Sequence, residues 1–269
     1  MTEPIISIRD LSVAYDGHQV LDRVNLDIQR NEIMVLLGGS GSGKSTTLRH
    51  IIGLERPDSG SILVRGVDIN RCSATELRKI RRSVGVAFQD AALFNSLSTE
   101  DNVGLPMREL TELAEPVIEI MIYMKLAVVG LGGAGKLLPY ELSGGMKKRA
   151  AVARAIALDP EILVFDEPSA GLDPIVSAEL DELILLLKRV FQMTILVVTH
   201  EIASAFRIAD RIAMLDNGSL IAVENKDSFK ASTDPRIRQF LDPVPKSLPE
   251  SAAVLDHLRE LAGLRGAVR

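Results

Sequence analysis

A glycine-rich segment near the N-terminus combines the residue types that bind phosphate groups. It fits the pattern G-x-x-x-x-G-K-[ST] and reads Gly38-Gly39-Ser40-Gly41-Ser42-Gly43-Lys44-Ser45. Between a strand and a helix, such a loop turns successive backbone N–H groups towards phosphate oxygens, and the helix N-terminus adds a partial positive charge. We expect Lys44 to reach the β- and γ-phosphates of a nucleotide and Ser45 to ligate Mg²⁺, with Thr46 among the nucleotide contacts. A Gly/Ser turn without a ligand is the alternative.

Two acidic residues follow an apolar run that is typical of a buried strand, residues 162–165. Asp166 falls at the carboxyl end of this predicted strand, where open α/β sheets bind their ligands, and it can hold Mg²⁺ through water. Glu167 can polarise the water that attacks the γ-phosphate, as a general base. A pair of solvated acids at a strand end is the competing interpretation. The neighbouring phosphate loop favours the metal and base roles.

Short apolar runs that end in polar residues predict the strands that carry these motifs. They occur at residues 33–37, 84–88, 162–165 and 194–198. Helical patterns separate these strands, and strands that alternate with helices predict a parallel sheet.

Two regions depart from this alternation. β-branched residues on either side of Asp16-Gly17 predict antiparallel strands within residues 5–30, and a hairpin is expected around Gly66. Residues from about 90 to 158 are helical in character, with apolar residues at helical spacing: Val117, Ile120, Met121 and Met124. The fold class is therefore α/β, with a parallel-sheet core, an N-terminal antiparallel β subdomain and an inserted α-helical subdomain.

Composition and charge limit the classes of protein that fit this chain. The 269 residues are 46% hydrophobic and 25% charged, and the net charge of −5 lacks the basic footprint of a nucleic-acid-binding protein. Cys72 is the single cysteine, so no internal disulfide can form and a cytosolic protein is expected. No apolar run approaches the roughly 20 residues of a membrane-spanning helix, and the N-terminus does not resemble a signal peptide.

A change of composition near residue 242 predicts the end of the nucleotide-binding domain, which we assign to residues 5–242. Prolines in the following tail, residues 243–269, predict an extended linker. Leu255, Leu258 and Leu261 then predict a short amphipathic helix that docks either on its own domain or on a partner copy, with a disordered tail as the remaining alternative.

A third motif, Leu142-Ser143-Gly144-Gly145-Met146, resembles the signature of the ATP-binding-cassette (ABC) ATPases. By itself, Ser-Gly-Gly is a helix N-cap with a flexible lead-in. The resemblance implies that Ser143 and the amides of Gly144 and Gly145 form an anion site at a helix N-terminus, which caps the γ-phosphate of ATP held by the other subunit. Met146 stands where the family commonly has glutamine, which leaves the backbone donors but removes a side-chain amide.

Further elements of that family follow in order. Gln89 resembles the Q-loop glutamine that touches Mg²⁺ and the attacking water, and His200 resembles the switch histidine that contacts the γ-phosphate. Residues 169–173 resemble the D-loop that crosses to the partner subunit, and Tyr15 stands where the family stacks an aromatic ring on adenine. Taken singly, these residues fit polar loops, strand ends and packing. Together they imply a RecA-like P-loop core, with the signature in the helical subdomain, that binds ATP and Mg²⁺ as a homodimer.

One branch of the family, the ATPases of MCE-type (mammalian-cell-entry) lipid transporters, is similar in more detail. It shares the Q-x-x-A-L-F pattern from Gln89 to Phe94, and further similar stretches at residues 150–158, 167–175 and 235–241. The resemblance implies a peripheral subunit on the cytoplasmic face of a bacterial inner membrane. Its partners would be integral-membrane permease subunits and an MCE-type substrate-binding subunit, and its cargo phospholipid or another hydrophobic molecule.

An apolar stretch beside the Q-loop predicts the surface that meets the permease. We expect it to form a groove for a permease helix, and its residues are Leu93, Phe94, Leu97, Val103 and Leu105. Core packing within the helical subdomain is the alternative for some of them.

Other functions stay open at this stage. An ABC ATPase for a non-lipid substrate fits the same motifs. A soluble P-loop kinase is less well matched, because it has no use for a second γ-phosphate cap at residues 142–146.

Overall fold

The computed structural model describes residues 3–242, and the chain divides into two compact units, Met1–Ser232 and Thr233–Arg269. The predicted tail helix at residues 243–269 lies outside the described residues, and the domain boundary at residue 242 stays a prediction. The strands of the first unit are β1 (Ile6–Tyr15), β2 (His18–Ile28), β3 (Ile33–Gly38), β4 (Ser59–Val64), β5 (Val67–Asp68), β6 (Val84–Ala87), β7 (Ile162–Asp166), β8 (Thr194–Thr199), β9 (Arg211–Asp216) and β10 (Ser219–Asn225).

Helices fill the connections between these strands. In the first unit they are α1 (Lys44–Ile51), α2 (Ala74–Arg82), α3 (Thr99–Leu110), α4 (Glu115–Val128), α5 (Gly144–Ala155), α6 (Pro174–Phe191), α7 (Ile202–Ile208) and α8 (Lys226–Ala231). In the second unit, α9 (Pro235–Leu241) begins at the N-cap Asp234. No helix among residues 3–242 is long and apolar enough to cross a membrane.

The larger sheet has the strand order β10-β9-β3-β8-β7-β6. Five of these strands, β6, β7, β8, β3 and β9, are parallel to one another, and β10 pairs antiparallel with β9. Every residue of the central strands β3 and β8 is buried, as continuous apolar runs require. The expected parallel core is confirmed. The sequence patterns had not indicated β9, β10 or α2.

The smaller sheet is antiparallel, with the order β2-β1-β4-β5. Asp16 and Gly17 adopt φ values of 49° and 79° between β1 and β2, as a two-residue hairpin turn requires. Side chains such as Ile6 and Ile8 of this sheet join Met34 and Leu196 of the larger sheet in one hydrophobic core. The N-terminal β subdomain is therefore confirmed, and it packs on the sheet that carries the phosphate loop.

The helical subdomain consists mainly of α3, α4 and α5. Ile118, Ile122 and Leu126 of α4 are buried, whereas the exposed fractions of Ile120 and Met124 are 62% and 58%. The helical spacing predicted a helix correctly, but the four apolar residues that defined it do not form its buried face. α4 is apolar on both sides, so periodicity alone did not identify the side that packs.

Candidate active site

The phosphate loop connects the buried end of β3 to the N-terminus of α1. Gly43 is the N-cap of α1 and adopts φ 102°, and a Cβ at this position would lie 2.5 Å from Leu21 Cδ2. A Cβ on Gly38 would lie 2.4 Å from the Leu215 carbonyl oxygen. Only glycine fits at both positions, so the pattern G-x-x-x-x-G is a steric requirement here.

Lys44 lies along the inside of this loop. Its side chain is buried, and Nζ donates hydrogen bonds of 2.9 Å to the carbonyl oxygens of Gly38 and Gly39. Burial lowers the pKa of Lys44, while the carboxylates of Glu167 and Asp166 act in the opposite direction. The loop thus holds the Lys44 ammonium group next to Asp166 and Glu167, the two acids that were predicted to act with it.

Ser45 and Thr46 begin the helix behind the loop. Ser45 is exposed and Thr46 half-buried, so both are accessible from the phosphate side. Thr47 Oγ1 donates to the Gly43 carbonyl oxygen over 2.9 Å, and His50 Nδ1 lies 2.8 Å from the Thr46 carbonyl oxygen. These side-chain contacts stabilise the first turns of α1, on which the loop depends.

Asp166 ends β7 with a carboxylate that lacks a full set of partners. Its Oδ1 is buried and accepts no hydrogen bond within residues 3–242. Burial raises the pKa of Asp166, and the neighbouring Glu167 raises it further. A buried, unpartnered carboxylate oxygen next to Lys44 fits a ligand of Mg²⁺ or of its bound water, and the exposed Ser45 hydroxyl fits a second.

Glu167 and His200 are brought together from different strands. Glu167 Oε2 accepts hydrogen bonds from Thr199 Oγ1 (3.2 Å) and the His200 backbone N–H (3.3 Å), and it lies 2.9 Å from His200 Nδ1. Glu167 has φ 46°, a left-handed conformation that is strained for this residue type. Its N–H donates to the Val198 carbonyl oxygen over 2.8 Å. The carboxylate is therefore fixed in orientation by the end of β8.

Gln89 is connected to Glu167 through a third side chain, that of Lys148. It follows β6, its side chain is exposed, and its carbonyl oxygen accepts a 2.6 Å hydrogen bond from Lys148 Nζ. The same Nζ donates to the Glu167 carbonyl oxygen over 3.2 Å. Burial lowers the pKa of Lys148. Sequence reasoning missed Lys148, because a run of three basic residues from 147 to 149 is typical of a solvated helix face.

Tyr15 lies at the end of β1, with 42% of its side chain exposed. Its hydroxyl donates a hydrogen bond to the Glu55 carboxylate, which raises the pKa of Tyr15. Glu55 also pairs with Arg49 in the last turn of α1 at 3.6 Å. The ring is thus held near α1 with an accessible surface. Its contact with adenine stays a prediction.

The signature residues lie at the N-terminus of α5, next to the N-terminus of α6. Ser143 is the N-cap of α5 and accepts a hydrogen bond from the Met146 N–H over 3.3 Å. A Cβ on Gly145 would lie 2.6 Å from Val176 Cγ1, and one on Gly144 would lie 3.6 Å from Leu172 Cδ2. The signature therefore adjoins the N-terminus of α6 and the predicted D-loop. The other predicted site residues lie at the ends of strands of the larger sheet. The phosphate loop follows β3, Asp166 ends β7 and Glu167 comes directly after it, and His200 comes directly after β8.

A groove of about 530 Å³ opens beside β6, the edge strand of the larger sheet. Phe88, Phe94 and Leu105 contribute to its wall together with Arg154. Phe94 is 51% exposed, as a docking residue should be, whereas Val103 is completely buried. Val103 was wrongly included in the predicted surface; it belongs to the core of the helices. Leu93, Leu97 and Leu105 are half-buried.

Residues 89–98, called the docking loop below, are held by side chains that the sequence did not single out. The Asn102 amide is completely buried, accepts from the Phe94 N–H, and donates to three carbonyl oxygens of Phe94, Leu97 and Ser98 over 2.9–3.1 Å. Arg154 donates to the carbonyl oxygens of Ala91 (2.9 Å) and Ala92 (2.7 Å). A loop without regular structure is thereby fixed against α3 and α5.

The fold and the site together define an ATPase of the ABC class. The family model described as "ABC transporter" matches residues 21–170, and the chain belongs to this family. It binds and hydrolyses ATP, as the phosphate loop and the paired acids predicted.

Relatives cover most of the chain. It is 44% identical over 237 residues to the probable ribonucleotide transport ATP-binding protein mkl of Mycobacterium leprae (strain TN), which covers 88% of this chain and 68% of the relative. It is 41% identical over 250 residues to the intermembrane phospholipid transport system ATP-binding protein MlaF of Escherichia coli (strain K12), covering 91% and 93%. The chain thus spans about two thirds of the mycobacterial protein and nearly all of the Escherichia coli protein.

A solved structure gives the same fold. The dimeric post-hydrolysis state of the ATP-binding cassette MJ0796, bound to ADP and Pi, superposes with a TM-score of 0.76 at 30% identity. The match covers 82% of this chain and 98% of that one. The expected P-loop fold is confirmed.

Proposed function

We propose that this chain is the ATPase subunit of an envelope lipid transporter, in which two copies bind two ATP molecules between them and drive a membrane permease. The observation that carries the ATPase mechanism is the Glu167 carboxylate, fixed by Thr199 and His200 next to Lys44 and Asp166. The lipid cargo is supported by the similarity to MlaF, whose name describes phospholipid transport, and by the Q-x-x-A-L-F pattern of the MCE branch.

In this mechanism the phosphate loop binds the nucleotide through its backbone amides and Lys44. Ser45, Gln89 and Asp166 would hold Mg²⁺, which supplies positive charge to the β- and γ-phosphates. Glu167 orients and deprotonates the attacking water, because its carboxylate is held in one orientation at the end of β7. His200 fixes that carboxylate, and we expect it also to contact the γ-phosphate, as the family resemblance implies.

A second copy completes the site. The signature residues Ser143, Gly144 and Gly145 adjoin Leu172 and Val176 rather than their own phosphate loop. A helix N-terminus with free amides binds anions, so this surface is available for the nucleotide of a partner. The dimeric form of the MJ0796 cassette supports the same arrangement.

The groove beside β6 is the surface that we assign to the permease. It is apolar, it opens at the sheet edge, and Phe94 projects beside it. The subunit would then lie on the cytoplasmic face of a bacterial inner membrane, with an MCE-type subunit as a further partner of the permease. Its net charge of −5 favours no role with nucleic acid.

A second candidate cargo comes from mkl, whose name describes ribonucleotide transport. Co-expression of the chain with its permease subunits, purification in mild detergent and reconstitution into liposomes would separate the two. We expect ATP-dependent movement of fluorescent phospholipid, which Glu167→Gln abolishes. ATP-dependent movement of a radiolabelled ribonucleotide, without lipid movement, would contradict the lipid assignment.

A further inference from the structure

Lys148 joins the docking loop to the backbone of Glu167, the proposed catalytic base. Its Nζ donates both to the Gln89 carbonyl oxygen at the start of the docking loop (2.6 Å) and to the Glu167 carbonyl oxygen (3.2 Å). Because α5 carries this ammonium group, one helix contacts the permease-side loop and the nucleotide-side acid through a single side chain. Both acceptors are backbone carbonyls, so the link depends on the position of the main chain rather than on the charge state of an acid.

The other contacts of the docking loop do not reach the nucleotide side. Arg154 donates to the carbonyl oxygens of Ala91 and Ala92, and Asn102 binds the loop around Phe94. Ala91 and Ala92 have φ values of 59° and 50°, which are unfavourable for alanine. The loop is therefore held in a strained conformation by donors from α3 and α5. Among the side chains of residues 3–242 that hydrogen-bond to the docking loop, Lys148 is the one that also hydrogen-bonds to Glu167.

Glu167 is sensitive to such a link. Its own φ of 46° is strained, and its main chain is held by hydrogen bonds to Val198 and Ala170. A shift of its carbonyl group moves the Cα atom to which the carboxylate side chain is attached. Since a displacement of about 1 Å of a catalytic group can lower a rate by about 100-fold, small movements of the docking loop are enough to change hydrolysis.

We propose that Lys148 is a positioning residue that transmits the position of the docking loop to Glu167, so that seating of the permease sets the rate of ATP hydrolysis. This inference rests on the proposed function of the groove and of Glu167. It gives α5 a second role, which does not depend on the contacts of the signature residues 142–146.

The test uses the purified complex with its permease, in which ATPase kcat and KM are measured for Lys148→Met, Lys148→Arg and the control Lys136→Met. Lys136 is exposed and pairs with the half-buried Glu100 carboxylate in the helical subdomain, and it bonds no carbonyl of the docking loop. We expect Lys148→Met to lower kcat by about 10- to 100-fold with KM changed less than about threefold. Lys148→Arg keeps the donors and should restore most of kcat, and Lys136→Met should resemble wild type.

A double-mutant cycle with Asn102→Ala separates transmission from simple stability. Asn102→Ala loosens the docking loop, so it should lower kcat in the wild-type background and have little further effect once Lys148 is methionine. Additive losses of kcat, or wild-type kcat in Lys148→Met, would overturn the inference. If Lys148→Met does not fold, Lys148→Leu, which also lacks a hydrogen-bond donor, takes its place in the same cycle.

A Glu167→Gln complex distinguishes failure of this inference from failure of the proposed function. An inactive Glu167→Gln complex beside a fully active Lys148→Met complex refutes the transmission alone. Wild-type hydrolysis by Glu167→Gln refutes the assignment of the base, and the inference with it.

Discussion

Glu167 Oε2 and His200 Nδ1 lie 2.9 Å apart, with the His200 backbone N–H directed at the same oxygen. In this contact Nδ1–H donates to the carboxylate, and Nε2 takes no part in it. Two residues 33 positions apart in sequence thereby act as one unit at adjacent strand ends. Histidine sets the direction of the carboxylate, and the carboxylate sets the tautomer of the histidine.

Replacement of Lys44 tests the phosphate loop. Lys44→Ala removes the one ammonium group that binds the Gly38 and Gly39 carbonyls, and the loop loses its charged hydrogen-bond donor for phosphate. We expect the Kd for ATP, measured by calorimetry, to rise about 100-fold, which corresponds to a lost charge-assisted contact of about 3 kcal/mol. The exposed Lys79 of α2 provides the control, and Lys79→Ala should bind ATP normally. Unchanged affinity in Lys44→Ala would remove the phosphate-loop assignment.

The exposed ring of Phe94 tests the docking groove. Phe94→Asp places a charge in an apolar contact, which costs several kcal/mol if a partner buries it. Pull-downs should therefore lose the permease while ATP binding stays intact. Ile120→Asp is the matched control, since Ile120 is an exposed apolar residue of α4 outside the groove lining. Loss of the permease in both variants, or in neither, would show that the groove is not the specific contact.

Local patterns explain why so much of this fold was predictable. The phosphate loop is fixed by steric limits at Gly38 and Gly43, and β3 and β8 are apolar because both of their faces are covered. Such features can be recognised from a few consecutive residues. The helix α2 is mainly polar, and β10 is only half-buried at the edge of the sheet, so their patterns do not show where they pack.

The side chains that the sequence missed act on main-chain atoms of another segment. Lys148, Arg154 and Asn102 all bind carbonyl oxygens of the docking loop. A carbonyl has the same chemistry at every residue, so no pattern marks the acceptor. Val103 was misplaced for a related reason: apolar residues of a docking surface and of a helix core look alike until the helices are packed.

The N-terminus of α3, which carries Asn102, should make stability depend on pH. The hydrogen bond that the Ser98 hydroxyl donates to the Asp101 carboxylate, and then the charge of Arg108, lower the pKa of Asp101 in the folded state. A carboxyl with a lowered pKa stabilises the fold above its ordinary value of about 4, and that contribution is lost as the pH falls through the folded pKa.

Asp101→Asn should therefore lower the free energy of unfolding at pH 7 by no more than about 1 kcal/mol, because the Asp101 side chain is 43% exposed. The difference from wild type should shrink below about pH 4. Urea unfolding at the two pH values measures it, with Glu109→Gln in the same helix as the control. A difference that is equal at both pH values would contradict the assignment.

The role of Glu167 as the base is tested most directly by measuring ATP binding and ATP hydrolysis in parallel for Glu167→Gln. The variant keeps the size of the side chain and loses the base, so ATP should bind as in wild type while hydrolysis falls by about 10²- to 10⁴-fold. Light scattering should then show a stable dimer that holds two ATP molecules. Glu161→Gln, at the opposite end of β7 and paired on the surface with Arg30, should hydrolyse ATP normally. Hydrolysis by Glu167→Gln at the wild-type rate would contradict the central claim that this carboxylate is the base.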